Sequence, residues 1–293
     1  MEQIGVSGIK HAFLTINVNC TLNCGNNHIL WPGCEDVYGI GNNDNPGDLG
    51  PRFEVNPRTG VFESTGSFFD QNGDGVPDNG SNGNGENRMQ VLRADYQTPG
   101  AEYYFESWYV VRDDIDIFNS MGYHPVNPTN TSGNNWSYQL SPFAVGAVID
   151  TWVDPATDPA TGSHNVLYSD LPNDVGHIKL AVRTEDLGNG NYRYNYTLAN
   201  FDVEHGLDGI RFPGFEGAVN SVSFHDPDHD MTNDWAANSA GGFGYDAAVG
   251  NNIEWGTAYS FSFVAEGSAP EVRQVVVSLG AGAPQSGVVL NIL

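Results

Sequence analysis

Apolar and polar positions alternate with period two along most of this chain, and no amphipathic helix longer than two turns can be drawn through it. The pattern predicts strands. Residues 9–18 read as a first strand. Residues 89–96 and 101–111 read as a hairpin turned by Thr98-Pro99-Gly100, and 143–153 as a further strand. Between them, 119–137 is rich in Gly, Asn, Pro and Ser and reads as a surface excursion. Residues 178–184 and 192–201 alternate on either side of Leu187-Gly188-Asn189-Gly190-Asn191, a strong hairpin signal that puts Tyr192, Tyr194, Tyr196 and Leu198 on one face. Residues 219–224 form another strand, and 259–265 with 272–279 read as a second hairpin around Gly267-Ser268-Ala269-Pro270. Many short strands separated by turn signals predict an all-β antiparallel β-sandwich, either one large sandwich or two packed ones.

The stretch 19–85 breaks this rhythm. It is rich in Gly, Asn, Pro and Asp, and is too long to be an empty loop in a compact domain, so a function or bound ions are expected to organise it. The expected organisation is an N-terminal β region over 1–154 and a C-terminal β-sandwich over 155–293. Residues 155–165 then serve as a linker, or as a surface loop within one continuous domain. No internal repeat is visible. The apolar run 288–293 either completes its own sheet or pairs with a neighbouring subunit.

Charge sharpens the picture. The 293 residues carry a formal net charge of -25, from 36 Asp and Glu against 11 Lys and Arg. Charged residues are only 16% of the chain, below the roughly 25% of ordinary globular proteins, so the imbalance comes from missing bases. Such a surface repels phosphate backbones and anionic lipid, which argues against nucleic-acid and membrane partners, and it attracts divalent cations. No apolar run approaches the ~20 residues of a membrane-spanning helix. Met1-Glu2-Gln3-Ile4 lacks the basic start and apolar segment of a signal peptide. With the acidity, this suggests an extracellular or cell-surface protein whose leader has been removed.

The strongest motif is Asp70-Gln71-Asn72-Gly73-Asp74-Gly75-Val76-Pro77-Asp78. Oxygen-bearing side chains stand at loop positions 1, 3, 5 and 9, a glycine at position 6 permits the sharp turn, and position 7 offers its carbonyl. Hard oxygens at that spacing suit calcium, with Asp70, Asn72, Asp74 and Asp78 as ligands and Val76 through its carbonyl. The bidentate Glu of position 12 is absent, since Ser81 stands there, although Glu86 lies a little further on. The nine residues resemble the calcium loops of thrombospondin type 3 repeats and dockerin-like modules. That resemblance implies a structural calcium clip.

A second cluster is His225-Asp226-Pro227-Asp228-His229-Asp230. Pro227 rules out a regular helix. Three readings stay open: a solvated turn whose Asp residues cap backbone amides, a second calcium site, or a site at which His225 and His229 hold a transition metal or work with Asp228 as acid and base. The other histidines are isolated in sequence. The cysteines, Cys20, Cys24 and Cys34, enclose His28 in a spacing that is no standard zinc pattern, so a disulfide among the three is expected, with zinc or copper as the alternative.

No Gly-x-Ser-x-Gly elbow, P-loop or dinucleotide fingerprint is present. Glycosidase-type carboxylate pairs leave no short motif. Trp108, Trp136, Trp152, Trp235 and Trp255 are candidates for sugar stacking, with core packing the competing explanation. Gly33-Cys34-Glu35-Asp36-Val37-Tyr38, Leu49-Gly50-Pro51-Arg52, Glu54-Val55-Asn56-Pro57 with Thr59-Gly60-Val61-Phe62, Arg193-Tyr194-Asn195-Tyr196 and Trp255-Gly256-Thr257 together resemble uncharacterised secreted β-rich proteins of planctomycete and marine bacterial type. The resemblance implies a secreted β-rich module of a larger surface polypeptide, and implies no activity.

Two functional readings follow. The preferred one is a secreted calcium-binding module for adhesion, matrix or filament assembly, or glycan binding, whose partners are glycans, other surface proteins or further copies of itself. The alternative is a metal-assisted extracellular enzyme acting on a polysaccharide or other polymer.

Overall fold

The computed structural model describes residues 1–9, 17–21, 33, 35–36, 50–76, 89–110, 116–133, 135–157, 163–215, 219–240 and 242–293. These separate into two units. The larger holds Met1–Ile4, Pro57–Gly60 and Leu92–Leu293, and the smaller Gly5–Asn56 and Val61–Val91. The expected boundary at 154/155 falls inside the larger unit.

The described strands are, in chain order, β1 (Asn17–Val18), β2 (Glu35–Asp36), β3 (Tyr103–Ser107), β4 (Gly122–Ser132), β5 (Asn135–Leu140), β6 (Ala144–Val145), β7 (His164–Leu171), β8 (Gly176–Gly188), β9 (Asn191–Asn200), β10 (Leu207–Phe212), β11 (Val219–His225), β12 (Ala236–Asn238), β13 (Phe243–Asp246), β14 (Thr257–Glu266), β15 (Arg273–Leu279) and β16 (Gly287–Ile292). The larger unit is all-β and antiparallel. One five-stranded sheet runs β11-β14-β9-β8-β7 and the other β12-β13-β10-β15-β16.

The two sheets form a sandwich because period-two alternation gives each an apolar inner face. Ile178, Leu180 and Val182 of β8, Tyr194, Tyr196 and Leu198 of β9, and Tyr259, Phe261 and Phe263 of β14 enter from one side. Ile210 and Phe212 of β10, Val275 and Val277 of β15, and Leu290 and Ile292 of β16 enter from the other. The core is aromatic at its centre. The Phe263 ring is fully buried and lies 4.8 Å from that of Phe243, 5.1 Å from Phe215, 5.2 Å from Phe212 and 5.5 Å from Tyr194.

The outer face of β8 is also used. Ala181 and Ala199 pack with Met121, Ile149, Val153 and Phe201 in a second apolar cluster. Lys179 on the same face donates to both oxygens of Asp150 at 2.8 Å. A small sheet, β3-β4-β5 with β6 on β4, precedes the sandwich in sequence.

The expected hairpin 178–201 forms as β8 and β9, with Gly188 opposite Asn191. Other sequence expectations change. The 259–265 and 272–279 segments are strands but do not pair with each other: β14 pairs with β9 and β11, and β15 with β10 and β16. Both carry a period-two apolar face aimed at one core, so the turn between them crosses from sheet to sheet. Its Gly267 amide donates to the Gly190 carbonyl at 2.8 Å, and the Ser268 carbonyl accepts from Tyr194 Oη at 2.9 Å.

Residues 89–96 do not pair with β3. They end in a 3-10 turn, Asp95–Gln97, and β3 pairs instead with β4, inside the stretch read as an excursion. Pro125 and Pro128 hid that strand, yet both fit in antiparallel pairing, opposite Tyr104 and Tyr138 respectively. Within 143–153 only β6 is extended, and Ile149–Trp152 is a short α-helix. The 288–293 run lies on β15 as β16 and completes its own sheet. Of the first strand expected at 9–18, 10–16 lie outside the described residues, Ile9 bridges Gly50 and Asn17–Val18 pairs with β2.

Candidate functional site

Three places bring functional side chains together. The first is the Asp70 loop of the smaller unit. Asp70 is fully buried, and four backbone amides converge on its carboxylate. Oδ1 accepts from Gly73 and Asp74, each at 3.1 Å, and Oδ2 accepts from Gly66 at 3.1 Å and Gly75 at 2.9 Å. The winding continues outward. Asn72 Oδ1 accepts from the Asp74 amide at 2.9 Å and Asp74 Oδ1 from the Val76 amide at 2.8 Å. Gly73 and Gly75 take left-handed φ of 76° and 83°, and Gly75 is the position-6 glycine expected to permit the sharp turn.

The donor set suits a hard cation in chemistry: anionic or amide oxygens at alternating positions, wound round one centre. Asp70 differs from a simple ligand, because the amides already engage both of its oxygens. It organises the loop, while the exposed Asn72 and Asp74 offer the remaining oxygen lone pairs. Asp78 lies outside the described residues, as do Cys24 and Cys34. Cys20 is disulfide-bonded, and those two are the chain's other cysteines.

The second place is the end of β11 and the loop after it. Here the sequence cluster divides. Its three carboxylates are occupied by the turn. Asp226 is buried and accepts from Asn251 Nδ2 at 2.6 Å, and Tyr259 Oη in turn donates to Asn251 Oδ1 at 2.5 Å. Burial, reinforced by the Asp228 charge, raises the Asp226 pKa above the ordinary carboxylate value. Asp228 Oδ1 accepts from the Asp230 amide at 2.7 Å and Oδ2 from Asn233 Nδ2 at 2.8 Å, and Asp230 Oδ1 accepts from the Thr232 amide and hydroxyl. These carboxylates cap backbone amides, as in the turn that the sequence offered as one of three readings.

The histidines are different. The His225 and His229 rings lie 6.1 Å apart, inclined at 76°, and His229 takes a left-handed φ of 61°. The nearest carboxylate to His229 comes from far away in sequence: Asp95 Oδ2 is 3.2 Å from Nε2. Nε2 of His225, Nε2 of His229 and Oδ2 of Asp95 are all buried without a hydrogen-bond partner. Among the described residues, no three His, Cys, Asp or Glu side chains already close on one point as a metal shell would.

The third place is aromatic. Tyr96 follows Asp95 in the 3-10 turn, and its ring lies 5.2 Å from Trp136, 5.7 Å from Tyr103 and 5.9 Å from Tyr138. Tyr103 Oη donates to the Asp95 carbonyl at 2.5 Å, and Tyr138 Oη to Tyr96 Oη at 3.2 Å. Burial and these neighbours hold the Tyr96 pKa well above the ordinary phenol value. A cleft of about 430 Å³ opens here, lined by Tyr96, Ala101, Glu102, Tyr103, Tyr104, Pro125, Val126, Asn127 and Pro128.

The other four candidate tryptophans behave as packing residues. Trp235 and Trp255 are buried, and Trp108 and Trp152 pack against the second apolar cluster. His177, isolated in sequence, donates from Nδ1 to the buried Asp202 at 2.8 Å, and Arg58 reaches both Asp202 and Asp174. No family model, curated protein or solved structure matches this chain.

Sequence reasoning missed Asp95 and the Tyr96 cluster. Asp95 stands alone in a stretch that alternates like a strand. The available signal was Asp95-Tyr96-Gln97-Thr98-Pro99-Gly100, where an Asp ahead of a Pro-Gly turn favours a 3-10 turn over extension.

Proposed function

We propose that this chain is an extracellular, calcium-ordered β-sandwich module that binds carbohydrate on the aromatic cluster of its small sheet. One observation carries the reading: Tyr96, Tyr103, Trp136 and Tyr138 gather beside a cleft of about 430 Å³ whose wall also carries Glu102 and Asn127. Sugar rings offer C–H faces that stack on aromatic rings, and hydroxyls that seek carboxylate and amide partners. The charge of -25 supports a place outside the cell, where salt screens self-repulsion. The Asp70 loop supports calcium as the element that orders the smaller unit.

The test is binding of the full chain to a panel of soluble and insoluble polysaccharides. Trp136→Ala and Tyr138→Ala are expected to weaken retention at least tenfold while circular dichroism stays unchanged. Equal retention of Trp136→Ala and the parent chain refutes the reading, as does failure of the parent chain to bind any of the panel.

A second reading, a metal-assisted enzyme acting on a polysaccharide, is favoured by one observation. Asp95, which faces His229, immediately precedes Tyr96 of the aromatic cluster. Release of reducing ends by the parent chain, abolished in His229→Gly, would establish it.

A further inference from the structure

We infer that Asp95, His225 and His229 form a binding site for a divalent first-row transition ion of the zinc class. Three observations meet there. The first is orphaned chemistry: one carboxylate oxygen and two imidazole nitrogens are buried with no hydrogen-bond partner. Buried polar atoms are almost always paired, so three orphans on neighbouring side chains call for a common explanation.

The second is direction. His229 Nε2 and Asp95 Oδ2 stand 3.2 Å apart, within ion-pair distance but without the geometry of a hydrogen bond. Two adjacent ligand atoms bonded at about 2.0–2.1 Å to one octahedral or tetrahedral ion stand about 2.8–3.4 Å apart and point past each other at the ion. The pair has that separation. The third is strain: His229 is held at φ 61°, a conformation disfavoured for residues with a Cβ, in a loop where Gly or Asn would be at ease.

The donor set selects the ion. Two imidazoles and one carboxylate suit zinc and its neighbours, whereas calcium takes six to eight oxygens. Asp226 and Asp228 have both carboxylate oxygens engaged by Asn251, Asn233 and loop amides, and Asp230 Oδ1 is engaged by Thr232, so the orphaned groups are the stronger ligand candidates. Two imidazoles sharing an ion through Nε2 have centroids about 5 Å apart, so the observed 6.1 Å leaves a closure of about 1 Å for the ion to complete. Three protein ligands leave a fourth position open to solvent or to a bound molecule. The site does not rest on the carbohydrate reading, since its occupancy is read with no sugar present.

Isothermal titration of the full chain with zinc chloride, in buffer that already contains calcium, reads the site directly. One equivalent is expected per chain. His229→Gly is expected to lose it, and glycine suits φ 61°, so this variant removes the imidazole without disturbing the turn. Asp95→Asn is expected to bind at least tenfold more weakly. Cobalt titration gives an independent readout, because a protein-bound tetrahedral ion has intense visible bands that the hydrated ion lacks. Absence of zinc uptake by the parent chain overturns the inference, and so does parental affinity in the His225→Gln/His229→Gly double variant. Unchanged affinity in Asp95→Asn removes Asp95 from the site and overturns the assignment as made.

Discussion

Replacing Asp70 by Asn separates the two jobs its carboxylate performs. The buried carboxylate accepts four amides, two on each oxygen. An Asn side chain has the same shape but one carbonyl oxygen, so it can keep only the two amides on that side. Its NH2 group then faces the other two amides, donor against donor. Each buried amide left unpaired costs about 1–3 kcal/mol, so the loop loses about 2–6 kcal/mol of local stability. Hydrogen exchange reads this at the Gly66, Gly73, Asp74 and Gly75 amides, where even the lower bound is an acceleration of roughly 30-fold.

Asp74→Asn is the companion. Asp74 is exposed and, among the described residues, caps the Val76 amide alone, so protection of the four Asp70-bound amides in calcium-free buffer is expected to stay at the parental level. The extra protection conferred by calcium, with affinity on the order of 0.1–1 mM, is expected to fall. Parental protection at all four amides in Asp70→Asn would refute the hydrogen-bond reasoning. An unchanged calcium response in Asp74→Asn would refute the calcium assignment alone.

Further outcomes concern the larger unit. Phe263→Ala removes the ring around which Phe212, Phe215, Phe243 and Tyr194 gather, and is expected to cost about 3–5 kcal/mol in urea unfolding. Asn200→Ala is expected to cost about 2–4 kcal/mol by the same measurement. Asn200 is fully buried, accepts from the Val203 amide and donates to the Val203 and Ile253 carbonyls, so its loss orphans an amide and opens a cavity. Glu106 is exposed as a residue, but its carboxylate is turned to the Val148 amide and partly desolvated there, which raises its pKa above the usual value of 4.5 despite that amide and Lys179. A raised carboxylate pKa favours the folded state at low pH, and this contribution is lost as pH rises through the folded-state pKa. Glu106→Gln is therefore expected to raise thermal stability at neutral pH, with the gain vanishing as pH falls below the unfolded value of about 4.5.

The sandwich was legible because its strands alternate cleanly. Tyr194, Tyr196 and Leu198 share one face in sequence and one core in space. Pairing was less legible. β14 and β15 look like a hairpin because a short Gly-Pro turn joins them, and alternation cannot distinguish a turn within one sheet from a crossing between two. The small sheet was hidden by Pro125 and Pro128, whose missing N–H groups argue against a strand only where the ladder needs them. The Asp70 loop was legible as a motif because its oxygen-bearing side chains are close in sequence. What spacing could not convey is that Asp70 spends its oxygens on backbone amides.

The same logic explains why acidic clusters are poor guides in this chain. With 36 acidic residues against 11 basic ones, most carboxylates cannot find a cation and must be satisfied another way. Some do meet a base: Asp150 meets Lys179, Asp246 meets Arg211 and Glu185 meets Arg193. Others use backbone amides, as Asp70, Asp202, Asp228 and Asp230 do. Asp228 does so while donating its own amide to Asp226. A run such as 226–230 is then what turn chemistry produces in a base-poor chain, and carries little information about metals. The informative groups are those that this economy leaves out. Asp95 Oδ2 has neither an amide nor a hydrogen-bonded base, although it stands 3.2 Å from a histidine whose Nε2 is also unpaired. A second imidazole nearby is orphaned in the same way. Among the described residues, a carboxylate oxygen and two imidazole nitrogens without hydrogen bonds at one spot distinguish a binding site from a turn.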